Sequence, residues 1–253
     1  MPYPAHVSDA AYCYDGSYAG FLCCIFESYT RREIPSAVLG PAEGQITLFG
    51  TETIATDPTH ARRVANGLTR LGPMVRERVM TGFLSTEEEK DLILLRFARR
   101  CFDEGPRAVQ MLGDPDVHAA FVLERNVNNE VCRFIEFIRF EEKDGMLGSV
   151  IHPKNNVLPL LRGHFCRRLP DEDFLIFDAA HGTALLRQSG HVQYLAMEHY
   201  EPARDADELN WQALWKRFFH ALTIEERRNA KAQMNHAPKR FWGGMVEMRE
   251  PYI

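Results

Sequence analysis

The stretch from Val131 to Glu198 limits what this chain can fold into more than any other. It opens with VCRFIEFIRF, turns at Lys143-Asp144-Gly145 and returns as MLGSVIH; PKNNVLPLLRGHFCRRL follows, and then FLIFD, TALLRQ and HVQYLAM. Short runs of β-branched and aromatic residues bounded by Asp, Gly and Pro read as strands, and the Leu-rich segment between them reads as a helix. The order is strand, strand, helix, strand, strand, strand. This predicts an α+β protein: an antiparallel sheet of about five strands with one inserted helix, flanked by N-terminal and C-terminal helices.

The flanks are helical in pattern. Residues 1–12 read as a loose lead-in. Asp15 or Ser17 suits the N-cap of a helix presenting Phe21, Leu22, Ile25, Phe26 and Tyr29. Ile34 to Gly50 reads as a loop, with a short extended piece near Thr53–Thr56. Asp57-Pro58 starts a helix with Ala61, Val64, Ala65, Leu68 and Leu71 inward and Arg62, Arg63 and Arg70 outward. Gly72-Pro73 separates it from another helix through Leu84, and Leu92 to Phe102 is apolar enough to be the hub of the helical part. A helix from Pro115 to about Asn129 leads into the sheet. Beyond the break at Glu201-Pro202, Trp211, Leu214, Trp215, Phe218 and Leu222 form one helical stripe, and the tail turns basic at Arg227, Arg228, Lys231, Lys239 and Arg240. The expected organisation is a single α+β domain over residues 1–253, with a helical part at 14–130, a sheet part at 131–198 and a C-terminal helical basic tail at 208–248.

A formal charge of −5 argues against a protein that coats nucleic acid indiscriminately, yet leaves room for a local basic groove. Six cysteines without a Cys-x-x-Cys suit free thiols in a reducing, cytoplasmic setting. The apolar run Phe21 to Phe26 is too short to span a bilayer, so no membrane association is expected. Dinucleotide-loop, P-loop, nucleophile-elbow and H-E-x-x-H patterns are all missing, and the histidines do not follow zinc spacing, so no metal and no cofactor is called for.

Candidate chemistry is sparse. Asp178 and His181 flank a turn in FDAAHGTALL, and with His152 they are the only candidates for a catalytic acid–base group. A plain turn, in which the Asp caps backbone N–H groups, accounts for Asp178 better. The acidic run Asp171-Glu172-Asp173 reads as a solvated loop rather than a magnesium site. Alternation along the first strand puts Arg133 and Arg139 on a face with Phe137. That composition meets phosphates and stacks bases, and it equally describes a face covered by a helix. In His152-Pro153-Lys154-Asn155-Asn156, Lys154 stands beside backbone N–H groups that can receive an anion, or an Asn caps the helix. Arg162 adds charge on that helix, and Lys239-Arg240-Phe241-Trp242 joins cations to aromatic rings.

Several separated segments carry a resemblance. They are Tyr14-Asp15-Gly16-Ser17 with Gly20-Phe21-Leu22, Ala55-Thr56-Asp57, Arg133-Phe134 with Phe137-x-Arg139-Phe140, and Pro153 with Asn156-x-Leu158-Pro159-Leu160-Leu161. His164-Phe165, Leu214-Trp215-Lys216 and Pro238-Lys239-Arg240-Phe241-Trp242 complete the set. The pattern resembles a bacterial family described as DNA metabolism or DNA repair proteins, whose members accompany a radical-SAM protein of DNA repair type. A similar domain occurs fused to a uracil-DNA glycosylase domain. The resemblance carries no catalytic residues with it. In that family the position of Cys132 is commonly His and that of Phe241 commonly Tyr, so a catalytic histidine there would be missing from this chain.

The resemblance implies a DNA-repair accessory protein that binds DNA, a radical-SAM repair partner, or both. Arg133, Arg139, Lys154, Arg162, Lys239, Arg240 and Trp242 are the expected nucleic-acid contacts. The alternatives are a DNA-processing enzyme, glycosylase or hydrolase, with a site assembled from His152, Asp178 and His181, and an interaction scaffold without DNA affinity.

Overall fold

A computed structural model of the chain describes residues 6–41, 50–201, 206–224, 226 and 229–248. It divides into two units, Met1–Asn128 and Asn129–Ile253. Arg227 and Arg228 of the basic tail and residues 42–49 of the expected loop lie outside the described residues.

The first unit is built from β1 (His6–Val7), β2 (Ala11–Cys13), α1 (Tyr18–Thr30), β3 (Glu33–Ile34), β4 (Ala37–Leu39), β5 (Thr51–Thr53), α2 (Pro58–Leu71), α3 (Pro73–Phe83), α4 (Lys90–Glu104) and the start of α5 (Pro115–Phe137). The lead-in expected over residues 1–12 instead contains a central strand. β2 lies between β4 and β5, parallel to both, with Ala11 and Tyr12 fully buried. Three residues are too few for alternation to register. The loop expected over residues 34–50 likewise contains β4 and the last residue of β3. Ser17 caps α1 by accepting from the Gly20 N–H, and Asp57 caps α2 by accepting from Thr59 and His60. Phe21, Ile25, Leu68, Leu94, Leu95 and Phe97 fill the core, so α4 is the hub its composition predicts. Cys23 and Cys24 are buried free thiols, and burial pushes the Cys24 thiol well up.

The second unit continues from α5 through β6 (Glu141–Lys143), β7 (Met146–Ile151), α6 (Leu158–Arg168), β8 (Asp173–Asp178), β9 (Thr183–Gln188), β10 (His191–Ala196), α7 (Ala206–Leu222) and α8 (Ala230–His236) to 3-10 turns at Lys239–Gly244 and Val246–Met248. Five strands form one sheet in the order β10-β9-β8-β7-β6. The sheet is mixed rather than antiparallel, because β7 and β8 pair in parallel. The inserted α6 is the reason: a helical crossover returns the chain to the end from which β7 started, so β8 must run the same way. Phe174 through Asp178 are all buried, as a strand covered on both faces requires. Leu175, Phe177, Ala184 and Leu186 pack on one face, while Phe140 bridges Phe165 of α6 and Phe174 of β8 at 5.4 and 6.1 Å.

The segment expected as the first strand is helix. α5 runs through Phe137, so Arg133 is helical and Arg139 lies just past the helix end, and the proposed strand face does not exist. The β-rich composition of VCRFIEF is overridden by a longer pattern. Val117, Ala120, Leu123, Val127, Val131 and Phe134 recur at helical spacing and are all buried. The hairpin turn at Asp144-Gly145 forms as expected, with both residues at positive φ, but it joins β6 and β7. α7 also forms as predicted and buries none of its residues; its Trp211, Leu214, Phe218 and Leu222 are exposed. No helix among the described residues is long and apolar enough to cross a membrane.

Candidate nucleic-acid interface

A cavity of about 300 Å³ opens in the second unit. Its apolar wall comes from one stripe of α5 and from the C-terminal turn. Phe134, Phe137 and Ile138 follow helical spacing, and Phe241 meets the first two rings edge-on and tilted at 5.0 and 6.0 Å. The opposite wall is the last part of β7, including the buried Ser149 and Ile151, with His152 just beyond the strand end. Arg139 and Arg240 flank the opening, their side chains 45% and 51% exposed, while Glu141 sits buried in the lining. The structure therefore brings three expected site residues, Arg139, His152 and Arg240, to one cavity.

Beside it runs a buried polar network that sequence reasoning missed. Glu130, 2% exposed, accepts the backbone N–H groups of Lys154 and Asn155, both at 2.9 Å, and the Asn155 side-chain amide at 2.7 Å. Arg240 supplies the balancing charge at 3.2 Å. A buried carboxylate persists only when it is both paired and hydrogen-bonded in this way. The anion expected at these N–H groups is thus the chain's own Glu130. Neither Asn155 nor Asn156 caps α6, whose N-cap position is Val157. The signal was present: Glu130 interrupts an otherwise apolar helical stripe between Val127 and Phe134, and acidic residues are rarely buried without a partner.

Asp178 and His181 do meet, through Asp178 Oδ2 and His181 Nδ1 at 2.7 Å. Asp178 Oδ1 also accepts the N–H groups of Ala180 and His181, at 3.0 and 3.1 Å, which makes the segment a capped turn. The hydrogen bond to Asp178 raises the His181 pKa despite the opposing effect of burial, with the charges of Asp178 and Glu130 and the Lys154 main chain adding to it. Asp178 thus orients the His181 ring and favours its cationic form. His152 lines the cavity, which neither Asp178 nor His181 does. Ile151, next to His152 in the chain, pairs with Asp178 across the β7–β8 ladder, so the three residues gather at neighbouring strand ends.

The remaining candidates are dispersed. Arg133 donates to the His236 carbonyl at 2.6 Å and pairs with Glu136 at 3.2 Å. Arg139 lies over the Trp215 ring at 4.9 Å and 4.0 Å from Glu247. Lys239 stands 5.9 Å from the Trp242 ring, whose Nε1 donates to the Ala237 carbonyl at 2.7 Å. Arg162 is exposed on α6 next to Tyr194, whose pKa burial raises and Arg162 draws back down. In the acidic run, Asp173 accepts the Ser189 N–H at 2.7 Å, while Asp171 and Glu172 are solvated. Cys132 is exposed and outside the cavity, whereas Phe241 is buried in its wall.

A family model described as a domain of unknown function, DUF4130, matches residues 88–247, which include every candidate residue above. No curated protein and no solved structure matches the chain.

Proposed function

Starting from a chain that belongs to the DUF4130 domain family, we propose that it is a DNA-binding accessory protein of DNA metabolism or repair, acting on DNA alone or beside a radical-SAM repair enzyme. The observation that carries this reading is the aromatic cavity flanked by Arg139 and Arg240. Cations at the rim neutralise phosphates, and a pocket walled by Phe134, Phe137 and Phe241 gives an unstacked base an apolar surface. Lys239 and Trp242 lie beside Arg240 in the chain, and Arg162 would make a separate contact beside Tyr194; Arg133, Lys154 and Arg240 serve the fold as well as the ligand.

The second reading, a DNA-processing enzyme, draws on His152, which lines the same cavity as the buried Glu141. Such an enzyme has to extrude its target base, and a cavity of this kind is where that base would go.

Fluorescence anisotropy with labelled single- and double-stranded oligonucleotides across a salt series tests the proposal. Binding that weakens with salt, and weakens further in Arg139→Ala and Lys239→Ala variants, is expected. No binding at low salt would leave only the scaffold. Strand cleavage or abasic-site formation that disappears in His152→Ala would favour the enzyme.

A further inference from the structure

The first unit carries a second basic surface, and it differs in kind from the cavity above. α2 contains no Asp or Glu between Pro58 and Leu71. Its exposed positions include Arg62, Arg63, Asn66, Thr69 and Arg70, every one able to donate a hydrogen bond. In a chain with 35 acidic and 30 basic side chains, a purely cationic helix face is not what average composition produces. Three other arginines of this unit are ion-paired, Arg31 with Glu52, Arg78 with Glu124 and Arg100 with Asp114. Arg62, Arg63 and Arg70 have no ion-pair partner among the described residues.

The same helix borders an apolar groove of about 490 Å³ between Arg63 and Arg70, with Phe26, Tyr29 and Phe102 in its lining. A polar depression of about 570 Å³ lies on the arginine side and shares Arg63 and Arg70 with it. Gly67 lets the Phe102 ring pack directly on the helix, since a Cβ there would stand 2.7 Å from it. His60 stacks on Phe26 at 3.8 Å, with the Arg63 guanidinium 5.7 Å from the same ring. The Tyr29 hydroxyl donates to Asp103 at 3.1 Å. Arg63 and Arg70 are seven residues apart, about 10 Å along the helix axis.

We infer that the α2 face, Arg62, Arg63 and Arg70 with the Phe26–Tyr29–Phe102 groove, binds single-stranded nucleic acid, the arginines taking phosphates and the groove taking bases. A duplex would offer phosphates to the arginines but keep its bases stacked away from the groove, and an acidic peptide would have no flat apolar group for it. The inference rests on the DNA-binding reading for its ligand, but it assigns the contact to different residues.

The test is anisotropy of the full chain with a fluorescein-labelled oligothymidine, read as a log–log salt plot. The Arg63→Ala/Arg70→Ala variant is expected to bind about tenfold more weakly, with a slope shallower by about 1.4, since each single-strand phosphate contact contributes about 0.7. Arg63→Lys/Arg70→Lys should recover the slope, and Asn66→Glu, which leaves both arginines in place, should weaken binding alone. All of these positions are exposed, and circular dichroism melts should match the parent. Unchanged binding in the α2 variants beside a loss in Arg139→Ala/Lys239→Ala overturns this inference and leaves the cavity reading standing. The reverse pattern supports the inference and overturns the cavity. Equal affinity for duplex, or equal displacement by polyglutamate, also overturns it, and no oligonucleotide binding at low salt overturns both.

Discussion

Glu130 shows how one buried charge organises the second unit. Its carboxylate satisfies two backbone N–H groups and an amide before α6 begins, and Arg240 reaches in from the C-terminal turn to neutralise it. Glu130→Ala strands those donors and leaves Arg240 without its acid, and should cost about 3 kcal/mol in denaturant unfolding. His181 gives a prediction with a definite sign. Its folded pKa is raised by Asp178, so the stabilisation from this pair is fully present below the ordinary histidine value of about 6.5 and is lost as pH rises through the folded value. Thermal melts of the parent and of His181→Gln should therefore differ most near pH 5.5 and converge in mildly alkaline buffer. A gap that widens with pH would contradict the assignment.

At the scale of elements, α5 is the instructive case. VCRFIEFIRF has the aromatic and β-branched composition of a strand, and alternation within ten residues supports one. The stripe from Val117 to Phe134 decides for helix, because a helix that already buries one face gains more by continuing than by changing period. Cys132 lies on the exposed side of this helix. Cys132→Pro should cost about 3 kcal/mol by removing an intrahelical hydrogen bond and clashing with the preceding turn, while Cys132→Ala should be neutral or slightly stabilising. Similar melts for the two would argue against a continuous helix. β7 to β10, α6, α7 and the hub helix α4 were all readable, since each is long enough for its period to show, whereas the three-residue β6 was displaced by the strand expected over VCRFIEFIRF. β2 was not readable, being three residues long and defined only by partners distant in sequence. Nor was the parallel β7–β8 pair, although a helix between two strands is the feature that produces one.

Across the whole molecule, a net charge of −5 coexists with two local concentrations of arginine, one on α2 and one at the cavity flanked by Arg139 and Arg240. Much of the candidate site could be read as residue types but not as a place. Arg139, His152 and Arg240 are dispersed in sequence and meet only because α5, β7 and the C-terminal turn converge on one cavity. Asp178 and His181 were visible as neighbours, and the structure makes them a capped turn. Glu130 showed as an acid in an apolar stripe, but its partners depend on where the Lys154–Asn155 backbone goes. The measurement that tests the central claim most directly is photocrosslinking of the full chain to a 5-iododeoxyuridine oligonucleotide, followed by peptide mass spectrometry. DNA held at the cavity predicts crosslinks at the aromatic residues Phe134, Phe137 and Phe241, reduced in Arg139→Ala. Crosslinks confined to other segments, or none at low salt, would contradict it.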